Sequence, residues 1–190
     1  MHLLKAPWKL VLGSKSPRRQ QLLKDLGFHF SIRPIEVDEN HSKNLKGVEI
    51  AEHLSRKKAE AHFPGSDEII LTSDTVVWAD NESLAKARNA SEAKEMLLKL
   101  SGKTHEVITA FCLSSKNKTI VKSDICSVTF TKLSILQIEH YIHHFKPYDK
   151  AGAYGIQEWI GMVAVEKIEG SYFTVMGLPT HLVFQELINW

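Results

Sequence analysis

Trp8 to Leu12 is a short apolar run, Gly13 to Ser16 is loop-like, and Leu22, Leu23 and Leu26 then recur at helical spacing until Gly27. This pattern predicts a strand, a loop and a helix. A second amphipathic segment runs from Val48 to about His62, with Ala51, Leu54, Lys58 and Ala61 on one face and Pro64–Gly65 ending it. Ile69–Leu71 and Val76–Trp78 are apolar, β-rich runs around the polar insert Thr72, Ser73, Asp74, Thr75, which predicts a buried strand that surfaces at its end before a turn at Asp80–Asn81.

Asn89 followed by Glu92 has the form of a capping box, and Ala93, Met96, Leu97 and Leu100 continue as one helical face up to Gly102. His105–Leu113 and Thr119–Phe130 alternate apolar and polar residues around a polar turn, as a half-solvated β-hairpin would. Ser134 with Gln137 caps a fourth helix that ends before Pro147. Two further strands are expected at Gly161–Ile168 and Tyr172–Val175, and Pro179 stands as the first residue of a terminal helix. Helices and strands alternate early and hairpins dominate later, so the fold class is α/β, a mixed sheet flanked by helices in a single domain spanning residues 1–190.

Composition narrows the functional classes only by exclusion. The chain of 190 residues is 43% hydrophobic and 24% charged, which fits an ordinary globular protein. A net charge of +2 is too small for bulk polyanion binding, so any anion recognition is local and a nucleic-acid partner is not expected. Cys112 and Cys126 lie in apolar stretches and read as reduced core residues of a cytoplasmic protein. Met1 to Leu12 is interrupted by Lys5, Pro7 and Lys9, unlike a signal peptide, and no stretch has the length of a membrane span.

Five groups of residues could carry chemistry. Ser16 is a good N-cap and Pro17 a good first helical residue, which places Arg18 and Arg19 in the first turn beside free N–H groups. Cations are disfavoured there unless an anion uses the N–H groups, the dipole and the guanidinium groups together, although solvated surface arginines would show the same pattern. Asp74 sits where the pattern predicts burial and could hold a metal or act as a base, or accept N–H bonds at a strand end. Glu36, Asp38 and Glu39 offer hard oxygen donors or form a solvated loop. Lys58 and Lys86 could meet at a polyphosphate only in three dimensions. Asp149–Gln157 combines two glycines with Gln157, which could read the edge of a base, or it forms a tight sheet corner. The ten histidines, including the pair His143 and His144, show no convincing metal motif such as HExxH and read mostly as surface or helix-flank residues.

Ser-Pro-Arg-Arg from Ser16, Ser-Asp-Thr-Val-Val from Ser73, Leu-Ser-Gly-Lys-Thr-His from Leu100, Asp-Lys-Ala-Gly-Ala-Tyr-Gly-Ile-Gln from Asp149 and Gly-Leu-Pro from Gly177 together strongly resemble the Maf family. The resemblance covers nearly the whole chain, in order. It implies a long mixed sheet with two lobes around a central cleft, similar to inosine-triphosphate pyrophosphatases (Maf/Ham1-like). It also implies a nucleoside-triphosphate pyrophosphatase that uses a divalent cation (Mg, Mn or Co) in nucleotide-pool house-cleaning.

By the same resemblance Asp74 is the proton acceptor and Glu39 its acidic companion, both at the metal. Ser14, Arg19, Lys58 and Lys86 are triphosphate-binding groups, and Arg18, Thr75 and Gln157 resemble the specificity residues of the dTTP/UTP branch rather than the 7-methyl-GTP branch. Two departures stand out: Ala85-Lys86-Ala87 where the family usually has Gly-Lys-Pro, and Lys146 where a glutamate is usual. The alternative function is a non-catalytic nucleotide-binding regulator of cell division, and a homodimer is left open.

Overall fold

The computed structural model describes residues 7–42 and 44–190, so Met1–Ala6, part of the stretch weighed above as a leader, lie outside the described residues. Seven strands form one mixed sheet in the order β2-β1-β3-β5-β6-β7, with β4 also paired to β3. They are β1 (Lys9–Leu12), β2 (Phe30–Ile32), β3 (Glu68–Ala79), β4 (Glu82–Leu84), β5 (Thr104–Ser114), β6 (Thr119–Phe130) and β7 (Val165–Glu169). The helices are α1 (Pro17–Asp25), α2 (Val48–Glu60), α3 (Ala90–Leu100), α4 (Ile135–Phe145), α5 (Trp159–Ala164), α6 (Tyr172–Met176) and α7 (Thr180–Ile188).

The central strand β3 positions everything else. One of its edges pairs antiparallel with β5 from Ile70 to Trp78. The other edge pairs with β1, in parallel, through Glu68–Leu71 and with β4, antiparallel, through Val77–Ala79. Residues 72–76 lie between these two partners, so the sheet opens there, just where β1 ends and the chain turns away at Gly13. A crevice beyond the carboxyl end of a parallel strand is the usual ligand position in open α/β sheets. The cleft lined by residues on both sides of the sheet opens at this gap.

Alternation along β3 then assigns the two faces. Ile69 and Leu71 pack with Leu22 and Leu23 of α1 and Val183 and Leu187 of α7. Val77 points to a second cluster with Leu97 and Leu100 of α3 and Ile138 and Tyr141 of α4. Val76 faces Ile50, Ala51 and Leu54 of α2 on the opposite side. Both cysteines are free and buried, as their apolar surroundings predict.

Several local signals act as expected. Ser16 caps α1 by accepting from Arg19 N, and Ser134 and Gln137 form a complete capping box on α4. Asn89 caps α3, but the Glu92 carboxylate accepts from Arg88 N instead of returning to Asn89, so that box is half formed. Asp80 and Asn81 both take positive φ, which makes the tight β3–β4 turn.

The structure corrects four expectations. The run from Ile69 to Trp78 is a strand, as expected, but Asp74 is in its middle rather than at its end. The polar insert survives burial because its hydroxyls find carbonyls: Thr72 Oγ1 donates to Ser55 O at 2.6 Å and Ser73 Oγ to Gly177 O at 3.1 Å. Gly161–Ile168 is not one strand, since Gly161 lies so close to the Ile156 carbonyl that a Cβ would sit 1.8 Å from its oxygen, and the chain makes a helical turn there before β7. Tyr172–Val175 is a helical turn, held by Thr174 Oγ1 donating to Asp124 at 2.5 Å and closed by left-handed Gly177. Pro179 caps α7 from outside, and Thr180 is the first helical residue. Strand β2, short and exposed, had no period long enough to see.

His105 on β5 is 3% exposed, packed edge-on against Phe130 and Tyr154, with Nε2 2.8 Å from the Tyr154 hydroxyl. Burial lowers its pKa from 6.5 to about 4. The unfolded chain therefore binds a proton at this site below pH 6.5 that the folded chain refuses, and stability falls as pH drops from about 6.5 towards about 4. Between pH 8 and pH 5 the expected loss from this group is about 2 kcal/mol. Urea denaturation across that range should show the loss, and His105→Gln should flatten it.

Candidate active site

A cleft of about 760 Å³ opens at the gap in the β3 edge. Its lining includes Ser14, Arg18, Arg19, Glu39, Lys58, Asp74, Thr75, Lys86 and Gln157, so every site residue expected from the sequence reaches one cavity. Glu36 and Asp38 line it too, although the Glu36 carboxylate pairs with Lys15 at 2.6 Å and Asp38 Oδ1 accepts from Asn40 N.

On the α2 side of the sheet, Asp74 Oδ1 meets Lys58 Nζ at 2.5 Å, and the same ammonium lies 2.8 Å from Glu39 Oε1. Glu39 Oε2 is 3.2 Å from Lys86 Nζ. Carboxylate and ammonium groups thus alternate from the sheet outwards. Asp74 and Lys58 are largely buried, so each needs the other; Glu39 and Lys86 are half exposed. Desolvation pulls the Glu39 pKa upward, but Lys58 and then Lys86 outweigh it and hold the carboxyl below its ordinary value. Lys58 is positioned from the last turn of α2, where His62 braces the chain: its ring nitrogens lie 2.8 Å from Lys58 O and 2.7 Å from Arg33 O. Gly13 passes over that ring so closely that a Cβ would be 2.8 Å from His62 Cε1.

On the opposite side, Thr75 faces Arg19. The Arg19 guanidinium donates to Gly177 O at 2.9 Å, Thr75 Oγ1 at 3.3 Å and Ser14 Oγ at 3.4 Å. Thr75 Oγ1 lies 3.0 Å from Thr109 Oγ1, which donates to Thr174 O. Burial lowers the Arg19 pKa, Asp74 opposes that shift and Arg18 reinforces it. A half-buried guanidinium at the start of a helix, hydrogen-bonded only to neutral partners, leaves its charge able to meet an anion.

The third wall is built on the Asp149–Gln157 segment singled out in the sequence, but its charged pairs and the roles of Tyr141 and Glu158 were not foreseen. Asp149 accepts from Arg18 Nη1 at 3.4 Å and from Lys150 Nζ at 2.7 Å. Lys150 is 8% exposed and also lies 3.0 Å from Glu158 Oε1, while Tyr141 OH donates to the other oxygen of Glu158 and accepts from Gly155 N. Burial pushes the Tyr141 hydroxyl pKa up, and the Glu158 carboxylate adds to that shift. Gln157 is exposed at the mouth. Lys86 is placed by an isolated bridge from its own backbone to Ala151, so the unusual Ala85-Lys86-Ala87 still delivers its ammonium to Glu39.

Among the described residues no cluster of three or more His, Cys, Asp or Glu side chains could hold a metal ion. Asp74 and Glu39 nonetheless present two carboxylates to one cation, the Lys58 ammonium. A magnesium-like ion held by one or two carboxylates and completed by substrate phosphates and water fits that donor set. No helix among the described residues is long and apolar enough to cross a membrane.

The two cleft lysines should behave differently when truncated. Lys150→Met strands Glu158 and Asp149 without their shared counter-ion and should destabilise the protein by about 2 kcal/mol. Lys86→Met removes only a half-exposed pair and should stay within about 0.5 kcal/mol of the parent. Equilibrium urea unfolding of both variants checks the contrast.

The Maf-like protein family matches residues 9–190 of this chain. The dTTP/UTP pyrophosphatase of Flavobacterium psychrophilum is 48% identical over 184 residues, covering 95% of this chain and 94% of its own. The protein of the same name from Flavobacterium johnsoniae is 49% identical over 183 residues, with 95% and 94% covered. Among solved structures, the Staphylococcus aureus Ham1 protein overlaps 64% of this chain and 71% of its own, with a TM-score of 0.43 and 16% identity. A match over residues 9–190 and relatives near half identity across the same length leave one assignment: the chain belongs to the Maf-like protein family.

Proposed function

We propose that this protein hydrolyses dTTP and UTP to the nucleoside monophosphate and pyrophosphate. The observation that carries the reading is Asp74, a carboxylate in the middle of the central strand, buried in the cleft floor and opposed by Lys58 and Arg19 on the two faces of the sheet. The names of the similar Flavobacterium proteins support it.

The triphosphate lies along Ser14, the first turn of α1, Arg19, Lys58 and Lys86, where N–H groups, the helix dipole and three cations meet it. The base rests at the mouth near Arg18, Thr75 and Gln157. Gln157 both donates and accepts, which suits the N3–H and O4 edge that uracil and thymine share. The Asp149 carboxylate, pinned by Lys150, sets the reach of Arg18.

Arrival of the phosphates draws Lys58 off Asp74 and Glu39. A divalent cation, when bound by those two carboxylates, supplies charge neutralisation and Lewis acidity at the phosphate oxygens. Asp74 accepts a proton from a water whose oxygen attacks the α-phosphorus in line. The bond to the α,β-bridging oxygen breaks, and pyrophosphate leaves with that oxygen while Arg19 and the lysines stabilise the charge it gains.

Incubation with dTTP, UTP, dCTP, dGTP and dATP in magnesium, manganese or cobalt, scored for monophosphate and pyrophosphate, tests the reading. dTTP and UTP should be the best substrates, and Asp74→Asn should lower kcat by roughly 10²- to 10⁴-fold with nucleotide binding retained. Absence of pyrophosphate release with intact nucleotide binding would favour a sensor or regulator instead.

A further inference from the structure

Outside the cleft, the exposed face of α4 carries a pair of histidines that the proposed reaction does not use. His140 and His144 are exposed and separated by one helical turn, with ring centroids 4.3 Å apart. Two imidazoles at this spacing on one helix face can chelate a single ion. His144 Nδ1 lies 2.9 Å from the His140 carbonyl oxygen. That oxygen can only accept, so Nδ1 carries the proton and the lone pair of His144 is on Nε2, free to face a metal. A ring N–H tied to a backbone carbonyl is also the usual way a ligating histidine is oriented.

The surroundings favour a cation as well. Both histidines are near the C-terminal end of α4, which closes at Phe145, and the carbonyl end of a helix carries partial negative charge. The neighbouring Lys94 is neutralised by Glu139 at 2.6 Å. Trp159 lies against the pair, its ring centroid 4.8 Å from that of His140.

We propose that His140 and His144 form a two-imidazole binding site for a transition-metal ion, Cu(II), Ni(II) or Zn(II), completed by water. Imidazole selects such ions, whereas the carboxylates of the cleft suit Mg(II) and Mn(II). The two sites would therefore fill independently, and an ion such as Co(II), which accepts either donor set, would load both.

Trp159 gives a local readout, because bound Cu(II) quenches a neighbouring indole. The signal is the difference between the parent and Trp159→Phe, so copper bound elsewhere does not contribute. Titration of Cu(II) should produce saturable, one-to-one quenching of the Trp159 component, while Mg(II) produces none. His140→Gln and His144→Gln, both surface changes whose folding circular dichroism can verify, should each weaken the titration by at least the roughly 10- to 100-fold that loss of an outer-shell partner already costs a metal site. His143→Gln should leave it unchanged. Quenching that does not saturate, or that survives in the His140→Gln and His144→Gln variants, would overturn the proposal. So would a loss confined to His143→Gln.

Discussion

A carboxylate in the middle of a central strand cannot stay ionised without a partner, and in this protein the partner is the Lys58 ammonium at 2.5 Å from Asp74. That contact ties α2 to β3. Glu39 on the same ammonium brings the loop after β2 to the same point. The cleft is therefore assembled around a cation that bridges two carboxylates, and the largely buried Asp74–Lys58 pair is among the groups the proposed chemistry uses. His62 and the Cβ-free Gly13 are the supports that keep the end of α2 at that distance.

The opening in which this pair sits is a consequence of strand pairing. β1 covers only the first part of the free edge of β3 and β4 only the last, and the uncovered residues carry Asp74 towards one face and Thr75 towards the other. Opposed faces let oppositely charged groups approach the same ligand without pairing with each other: Asp74 looks to Lys58, and Thr75 receives Arg19. Arg19 is held by Gly177 O, Ser14 and Thr75 rather than by a carboxylate, so its charge is left for an anion.

Much of this was legible in the sequence because it is local. The Ser16–Pro17 start of α1, the Ser134–Gln137 box and the Asp80–Asn81 turn each need only a few neighbouring residues. The ordered motifs contain Arg18, Arg19, Asp74, Thr75 and Gln157, and the resemblance they carry points to Ser14, Glu39, Lys58 and Lys86, all of which line the cleft. What stayed hidden depends on distant partners. Thr72, Ser73, Asp74 and Thr75 read as the surfacing end of a strand until Ser55, Gly177, Lys58 and Arg19 are present to satisfy them. Lys150 looks like a surface lysine until Glu158 and Tyr141 close over it, and Arg18 meets an aspartate 131 positions away. The turns at α5 and α6 are rich in β-favouring residues, and the backbone contact at Gly161 and the Thr174–Asp124 bond override that preference. The His140–His144 pair does not follow the HExxH pattern, and only the helix shows the two rings together.

Lys58 occupies the place between Asp74 and Glu39 until phosphates draw it away, and Mn(II) binding followed by electron paramagnetic resonance tests that directly. The parent protein alone should leave added Mn(II) largely free, a non-hydrolysable α,β-methylene analogue of dTTP should bring about one equivalent into the bound form, and Lys58→Met should bind Mn(II) without any nucleotide. Stoichiometric Mn(II) binding by the parent protein in the absence of nucleotide, or none in its presence, would contradict it.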